Sequence, residues 1–128
     1  MKVIDIYEKI AIWLNEVLTQ NIPEEVVAFC FNLYEEEDYN WSMELVGTDR
    51  FDPDDSDWPC FEITDFGTRK ALFSWNKEAE WDQVLEEIVS DLKNYLENGE
   101  KSDILKSKEA VGVGFVDGDL EIIFNRNI

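Results

Sequence analysis

The chain carries 30 aspartates and glutamates, 2 cysteines and no histidine. Those counts set most of what it can do chemically. Without imidazole there is no Ser-His-Asp triad, no Cys-His pair and no histidine ligand for zinc. Cys30 and Cys60 lack a CxxC spacing, and a zinc site made from them and carboxylates would be unusual. No GxxxxGK[ST] or GxGxxG loop occurs to cradle a phosphate. Asp65-Phe66-Gly67 echoes a kinase tripeptide, but the catalytic-loop and lysine motifs that give it meaning are missing.

Carboxylates alone leave two kinds of chemistry. Asp52, Asp54 and Ser56 have the one-three-five spacing of a calcium loop. The sixth position, which calls for glycine, is Asp57, and the twelfth, which calls for glutamate, is Ile63. Weak adventitious calcium binding fits this better than a built site. A carboxylate pair for glycoside hydrolysis is the other option. With so many acids, spacing marks out no pair, and such enzymes usually need a larger framework. The expectation is therefore a protein without catalytic residues, metal ligands or cofactor.

What remains is charge and aromatic surface. Between Glu35 and Trp58 lie Glu35, Glu36, Glu37, Asp38, Glu44, Asp49, Asp52, Asp54, Asp55 and Asp57, against one base, Arg50. Tyr39, Trp41, Phe51 and Trp58 are interleaved with them. A charge run of this kind is usually a solvated surface. Trp41 and Trp58, each taken alone, read better as core. Together, carboxylates that steer and aromatics that anchor fit a surface for a basic protein. The expected contact residues are Glu35, Glu36, Glu37, Asp38 and Tyr39 from one turn, and Asp52, Asp54, Asp55, Asp57 and Trp58 from the loop beyond.

The whole composition agrees. Net charge is −19 and the pI about 4.1, which repels nucleic-acid phosphates and anionic membranes as partners. At 128 residues, with 45% hydrophobic and 13% aromatic content, one domain spanning 1–128 with a real core is expected. Two cysteines make no disulfide framework and read as reduced thiols. The first residues are broken by Asp5, Glu8, Lys9, Asn15 and Glu16, so they do not read as a signal peptide. No run approaches the roughly 18 apolar residues of a membrane span. A cytoplasmic location is expected.

The elements that must position this surface follow from periodicity. Residues 3–20 repeat apolar groups at Val3, Ile6, Tyr7, Ile10, Trp13, Leu14, Val17 and Leu18, an amphipathic helix ended by Asn21 and Pro23. Residues 26–34 alternate, with Val27, Phe29, Phe31 and Leu33 on the large apolar face. An acidic turn over 35–40 leads to a strand through Trp41, Met43 and Leu45, giving a hairpin with an exposed acidic tip. Residues 48–59 are loop. Strands at 60–66 and 69–75 read as a second hairpin turning at Gly67-Thr68. Asn76 is a plausible cap for a helix carrying Trp81, Val84, Leu85, Ile88, Leu92, Tyr95 and Leu96. Asn98-Gly99 would end it with Gly99 left-handed. Ile104 and Leu105 could anchor a short helical turn.

Asp117-Gly118 predicts a type I′ hairpin. That register pairs Phe115 with Leu120, Val113 with Ile122 and Val111 with Phe124, all on one face. Gly112 and Gly114 then fall on the other face, either to relieve crowding under a neighbouring side chain or to form a flat docking patch. The expected fold is α+β: an antiparallel sheet of about six strands with two main helices on one face, in the order α-β-β-β-β-α-β-β.

Four segments together resemble the small acidic immunity proteins (antitoxins) of bacterial polymorphic-toxin systems. They are the leading amphipathic helix, VVAFCFNLYEEEDYNW, WDQVLEEIVSDLKNYLENG and VGFVDGDLEIIF. The resemblance is one of architecture and implies a role: binding a cognate toxin, commonly a basic nuclease, and blocking its active site. The alternatives are a nucleic-acid mimic that inhibits a DNA-binding protein, a small enzyme, or a calcium-binding module.

Overall fold

The computed structural model describes residues 5–68 and 71–126. Val3 of the predicted first helix, and Arg69 and Lys70 of the predicted fourth strand, lie outside them. The fold is α+β. Helix α1 spans Ile6–Val17, strands β1 and β2 span Ala28–Glu35 and Asn40–Thr48, β3 spans Glu62–Gly67 and β4 Phe73–Asn76. Helix α2 follows at Trp81–Asn98, then a short α3 at Ser102–Leu105, and strands β5 and β6 at Ala110–Phe115 and Glu121–Asn125. The short turn at Ile104 and Leu105 is thus present.

Helix α1 starts where the Asp5 carboxylate accepts the Glu8 amide at 2.8 Å, one of the orphan donors of a first turn. Its buried residues, Ile10, Leu14 and Val17, are the predicted stripe. They pack with Val84, Ile88 and Leu92 of α2 over Phe29, Phe31, Leu33, Met43, Leu45, Val111 and Val113. The two main helices therefore cover one face of the sheet.

The sheet is mixed rather than antiparallel. Its order is β3-β2-β1-β5-β6, with β4 also on β2. Strand β5 runs parallel to β1, with Phe31 beside Val113 and Leu33 beside Phe115. Helices α2 and α3 supply the long crossover that a parallel neighbour requires. Antiparallel pairing followed from the short turns, but the β1–β5 neighbourhood depends on a contact no local turn specifies.

The predicted second hairpin is also corrected. Strands β3 and β4 do not pair with each other; both run antiparallel to β2, β3 at Thr48 and Val46, β4 from Met43 to Asn40. Between them the Thr68 amide donates to the Leu45 carbonyl at 3.1 Å, and the Thr68 hydroxyl accepts the Leu45 amide at 2.8 Å. β3 and β4 therefore lie one after the other along the same edge of β2, and the chain does not reverse at Gly67-Thr68. The Ala71 carbonyl accepts the Trp13 indole N–H at 2.9 Å, which ties the segment before β4 to α1.

Asn76 ends β4 opposite Asn40 and so cannot cap α2; Glu80 takes that position. Gly99 is extended, not left-handed, at φ −69° and ψ 149°. A Cβ there would lie 2.5 Å from the Tyr95 ring, and that close approach is the reason for glycine.

In the last hairpin Val111 faces Phe124 as expected, but the ladder then slips to Gly112–Ile122 and Val113–Glu121. Residues 116–120 form the connection. Among the described residues neither Asp117 nor Gly118 has positive φ, so the type I′ turn is not formed. A Cβ on Gly118 would meet only ordinary contacts, 3.6 Å from the Phe115 Cβ. An alanine there is consequently tolerated sterically, without the strain that a type I′ turn would impose. The slip sends Leu120 to the far face of the sheet, where it packs with Phe51 and Trp58 against Ala28, Cys30, Val46 and Ala110. Gly112 relieves crowding there: a Cβ would come within 2.9 Å of the Trp58 ring. At Gly114 the crowding is by backbone, with the Asp119 carbonyl oxygen 2.6 Å from a Cβ.

Candidate functional site

The acidic stretch divides into two separate places. Its first part forms the β1–β2 tip, and its second part begins after Thr48, at the other end of β2. A strand of 9 residues separates them, which is about 30 Å at ~3.3 Å per residue.

At the tip, Glu35, Glu36, Glu37, Asp38 and Tyr39 are all exposed. The turn is tight. Asp38 and Tyr39 have φ of 57° and 60°, and the Asn40 amide donates to the Glu37 carbonyl at 3.1 Å. Positive φ at both central residues is the type I′ pattern, and for Tyr39 it is strained. The type I′ signature thus occurs in the first hairpin, with no glycine to announce it. Neighbours brace the tip: the Lys77 amide donates to the Tyr39 carbonyl at 2.9 Å, and Asn76 Nδ2 donates to the Asp38 carbonyl at 3.2 Å. Its carboxylates are therefore presented on a fixed frame.

The loop carries Asp52, Asp54, Asp55 and Asp57, all exposed. Two of these build the loop itself. Asp52 Oδ1 accepts the Asp54 amide at 2.9 Å, and Asp55 Oδ1 accepts the Asp57 amide at 3.0 Å. Such side-chain turns are a usual reason for aspartate in loops. Among the described residues no group of three or more Cys, Asp or Glu is placed to hold a metal ion. Trp58, expected as an anchor, is only 1% exposed. It packs edge-on against Phe51 at 5.1 Å and over Gly112, so it fastens the loop to the sheet and offers no contact surface.

The parallel β1–β5 pair gives the tip its neighbours. β5 ends beside β1, and the residues that follow it stand next to Glu35 and Glu36. Together with α2 they enclose a groove of about 600 Å³. Its apolar part is Leu33, Leu85, Phe115, Trp81 and Val116. Glu35, Glu36, Asp117 and Asp119 line it as carboxylates, and among the described lining residues there is no lysine or arginine. Trp81 is 53% and Val116 52% exposed. An aromatic row leads inward: Trp81 meets Phe115 at 6.1 Å, and Phe115 meets the buried Trp41 at 5.9 Å. Sequence reasoning did not find Trp81, Phe115, Val116, Asp117 or Asp119 as site residues, because only the β1–β5 pairing brings them to the tip.

Other polar groups are committed to the frame. Glu44, 2% exposed, accepts from Tyr34 Oη at 2.5 Å and Asn32 Nδ2 at 3.4 Å, as a buried carboxylate requires. Burial, followed by Glu44 and Cys60, pushes the Cys30 thiol up to about 12, which leaves it a weak nucleophile. Both cysteines are free thiols.

Asp91 on α2 lies in a hollow with Ile6, Val84, Ile88 and Glu87. Burial, followed by Asp5 and Glu87, raises its pKa from 3.8 to about 6. A carboxyl raised in the folded state favours the protonated form. Its contribution to stability is full below the unfolded value and lost as pH rises through about 6. Asp91→Asn is therefore expected to stabilise the protein at pH 8 by about 1 kcal/mol, the shift being discounted for partial solvent screening. At pH 3 the two proteins are expected to melt together. Thermal melts across that pH range check the sign.

Among the described residues no helix is long and apolar enough to cross a membrane. Set against protein-family models, curated proteins and solved structures, the chain finds no match in any of the three.

Proposed function

We propose that this chain is a non-enzymatic, acidic binding protein that neutralises a basic protein partner, as an immunity protein does its toxin. One observation carries the reading. Carboxylates from two distant segments, Glu35 and Glu36 with Asp117 and Asp119, border a single apolar groove that no described lysine or arginine lines. A basic face supplies the counter-charge that the groove lacks, and apolar contact beneath the charges holds the complex. A basic nuclease is the partner the resemblance implies.

The test is surface-plasmon kinetics against a partner captured from the native cell, across a salt series. Reversal of Glu35, Glu36 and Asp38 to lysine is expected to slow association about tenfold or more at low salt, with the effect shrinking as salt rises. Reversal of Asp54, Asp55 and Asp57 is expected to slow association less than the tip reversal does, because the loop leaves the other end of β2 and none of its carboxylates lines the groove. Circular dichroism controls for folding. Equal rates for wild type and the tip reversal at low salt would remove the proposal.

A further inference from the structure

We infer that the groove between the hairpin tip and α2 receives an apolar side chain flanked by lysine or arginine, presented by the basic partner. This rests on the binding reading above and specifies the chemistry of the contact.

Trp81 is the first residue of α2, where nothing in the helix demands an aromatic. It stands 53% exposed, beside Val116 at 52%, with its ring edge-on to Phe115. Contiguous exposed apolar surface with a polar rim marks an interaction site more often than chance surface. Its volume of about 600 Å³ suits one or two large side chains rather than a whole helix.

The rim decides what those side chains bring with them. Glu35, Glu36, Asp117 and Asp119 surround the apolar floor, so an anionic occupant is repelled and a neutral one leaves them without counter-charge. A second copy of this chain is opposed by a net charge of −19 on each. A purely cationic occupant leaves the Trp81 and Val116 surface wet. The hollow on the other side of Leu85 differs, for its Lys93 already pairs with Glu121 at 3.7 Å. Only an occupant that is apolar at its centre and basic at its flanks satisfies both floor and rim.

The probe is a fluorescently labelled peptide alternating arginine and leucine, followed by anisotropy with the full chain. Two control peptides replace leucine by serine, or arginine by glutamate. The arginine–leucine peptide is expected to bind, and Trp81→Ala to weaken it about tenfold or more, as loss of a central aromatic anchor does. The arginine–serine peptide is expected to bind comparably weakly to both proteins, and the glutamate–leucine peptide not at all. Val116→Ser, on an exposed loop, repeats the test if Trp81→Ala lowers the melting temperature. The inference is overturned if the arginine–leucine peptide does not bind, or if it binds no better than arginine–serine. It is also overturned if the folded groove variants bind like wild type. The two readings fail separately. If the tip reversal slows the native partner while the groove variants leave peptide and partner unaffected, binding stands and the groove assignment falls.

Discussion

Phe31→Ala is expected to cost about 3–5 kcal/mol of unfolding free energy, the usual loss for a fully buried phenylalanine. Phe31 is 0% exposed. It lies on β1, flanked by Leu45 of β2 and Val113 of β5, in the core that both main helices close. With strands on both sides and helices above, no neighbour can collapse into the space. Part of the cost is therefore the cavity itself, beyond the lost transfer energy. Urea unfolding measures it, and Ile12→Ala is the control. Ile12 is 58% exposed, so its truncation is expected to change stability by no more than about 0.5 kcal/mol. A loss below about 1 kcal/mol at Phe31 would mean that the core is not organised on this face of β1.

Trp58→Ala is expected to cost a similar amount, about 3–5 kcal/mol, for a different reason. The far-face cluster is otherwise made of small residues, Ala28, Cys30, Val46 and Ala110, with Phe51 and Leu120 at its margin. Trp58 supplies most of its bulk. Its loss opens a void over Gly112 and releases the loop it fastens, so proteolytic cleavage within 49–61 is expected to accelerate. Trp58→Phe is the informative partner variant. The indole Nε1 is buried without a hydrogen-bond partner among the described residues, so phenylalanine forfeits ring volume but no hydrogen bond. It is expected to keep most of the stability. An alanine variant as stable as wild type would show the loop to be held by something else.

These two residues also show how far the sequence could be read. Phe31 was legible because alternation along β1 reports the face directly, and the Leu14 and Ile88 stripes report the helices in the same way. Trp58 was not. Its acidic neighbours imply surface, whereas its seat is a glycine far along the chain, Gly112, that nothing local connects to it. The exposed tip was legible from composition. The groove beside it was not, because Trp81, Phe115 and Asp117 reach the tip only through the parallel β1–β5 pair. At Asp117-Gly118 a strong local turn signal lost to tertiary packing, with Leu120 drawn to the Trp58 face. At Gly67-Thr68 a turn signal does not reverse the chain, and β3 and β4 follow one another along the same edge of β2.

The central claim is that the partner docks on the hairpin tip and its groove. Hydrogen–deuterium exchange of the free chain and of its complex with the captured partner tests it most directly. Protection on binding is predicted to concentrate in segments 34–40, 81–86 and 115–120, which come together only in the folded sheet. The loop 49–61 is predicted to exchange alike in both states. Protection confined to that loop, or to β6 with the tip unchanged, would contradict the account and move the interface to another part of the molecule.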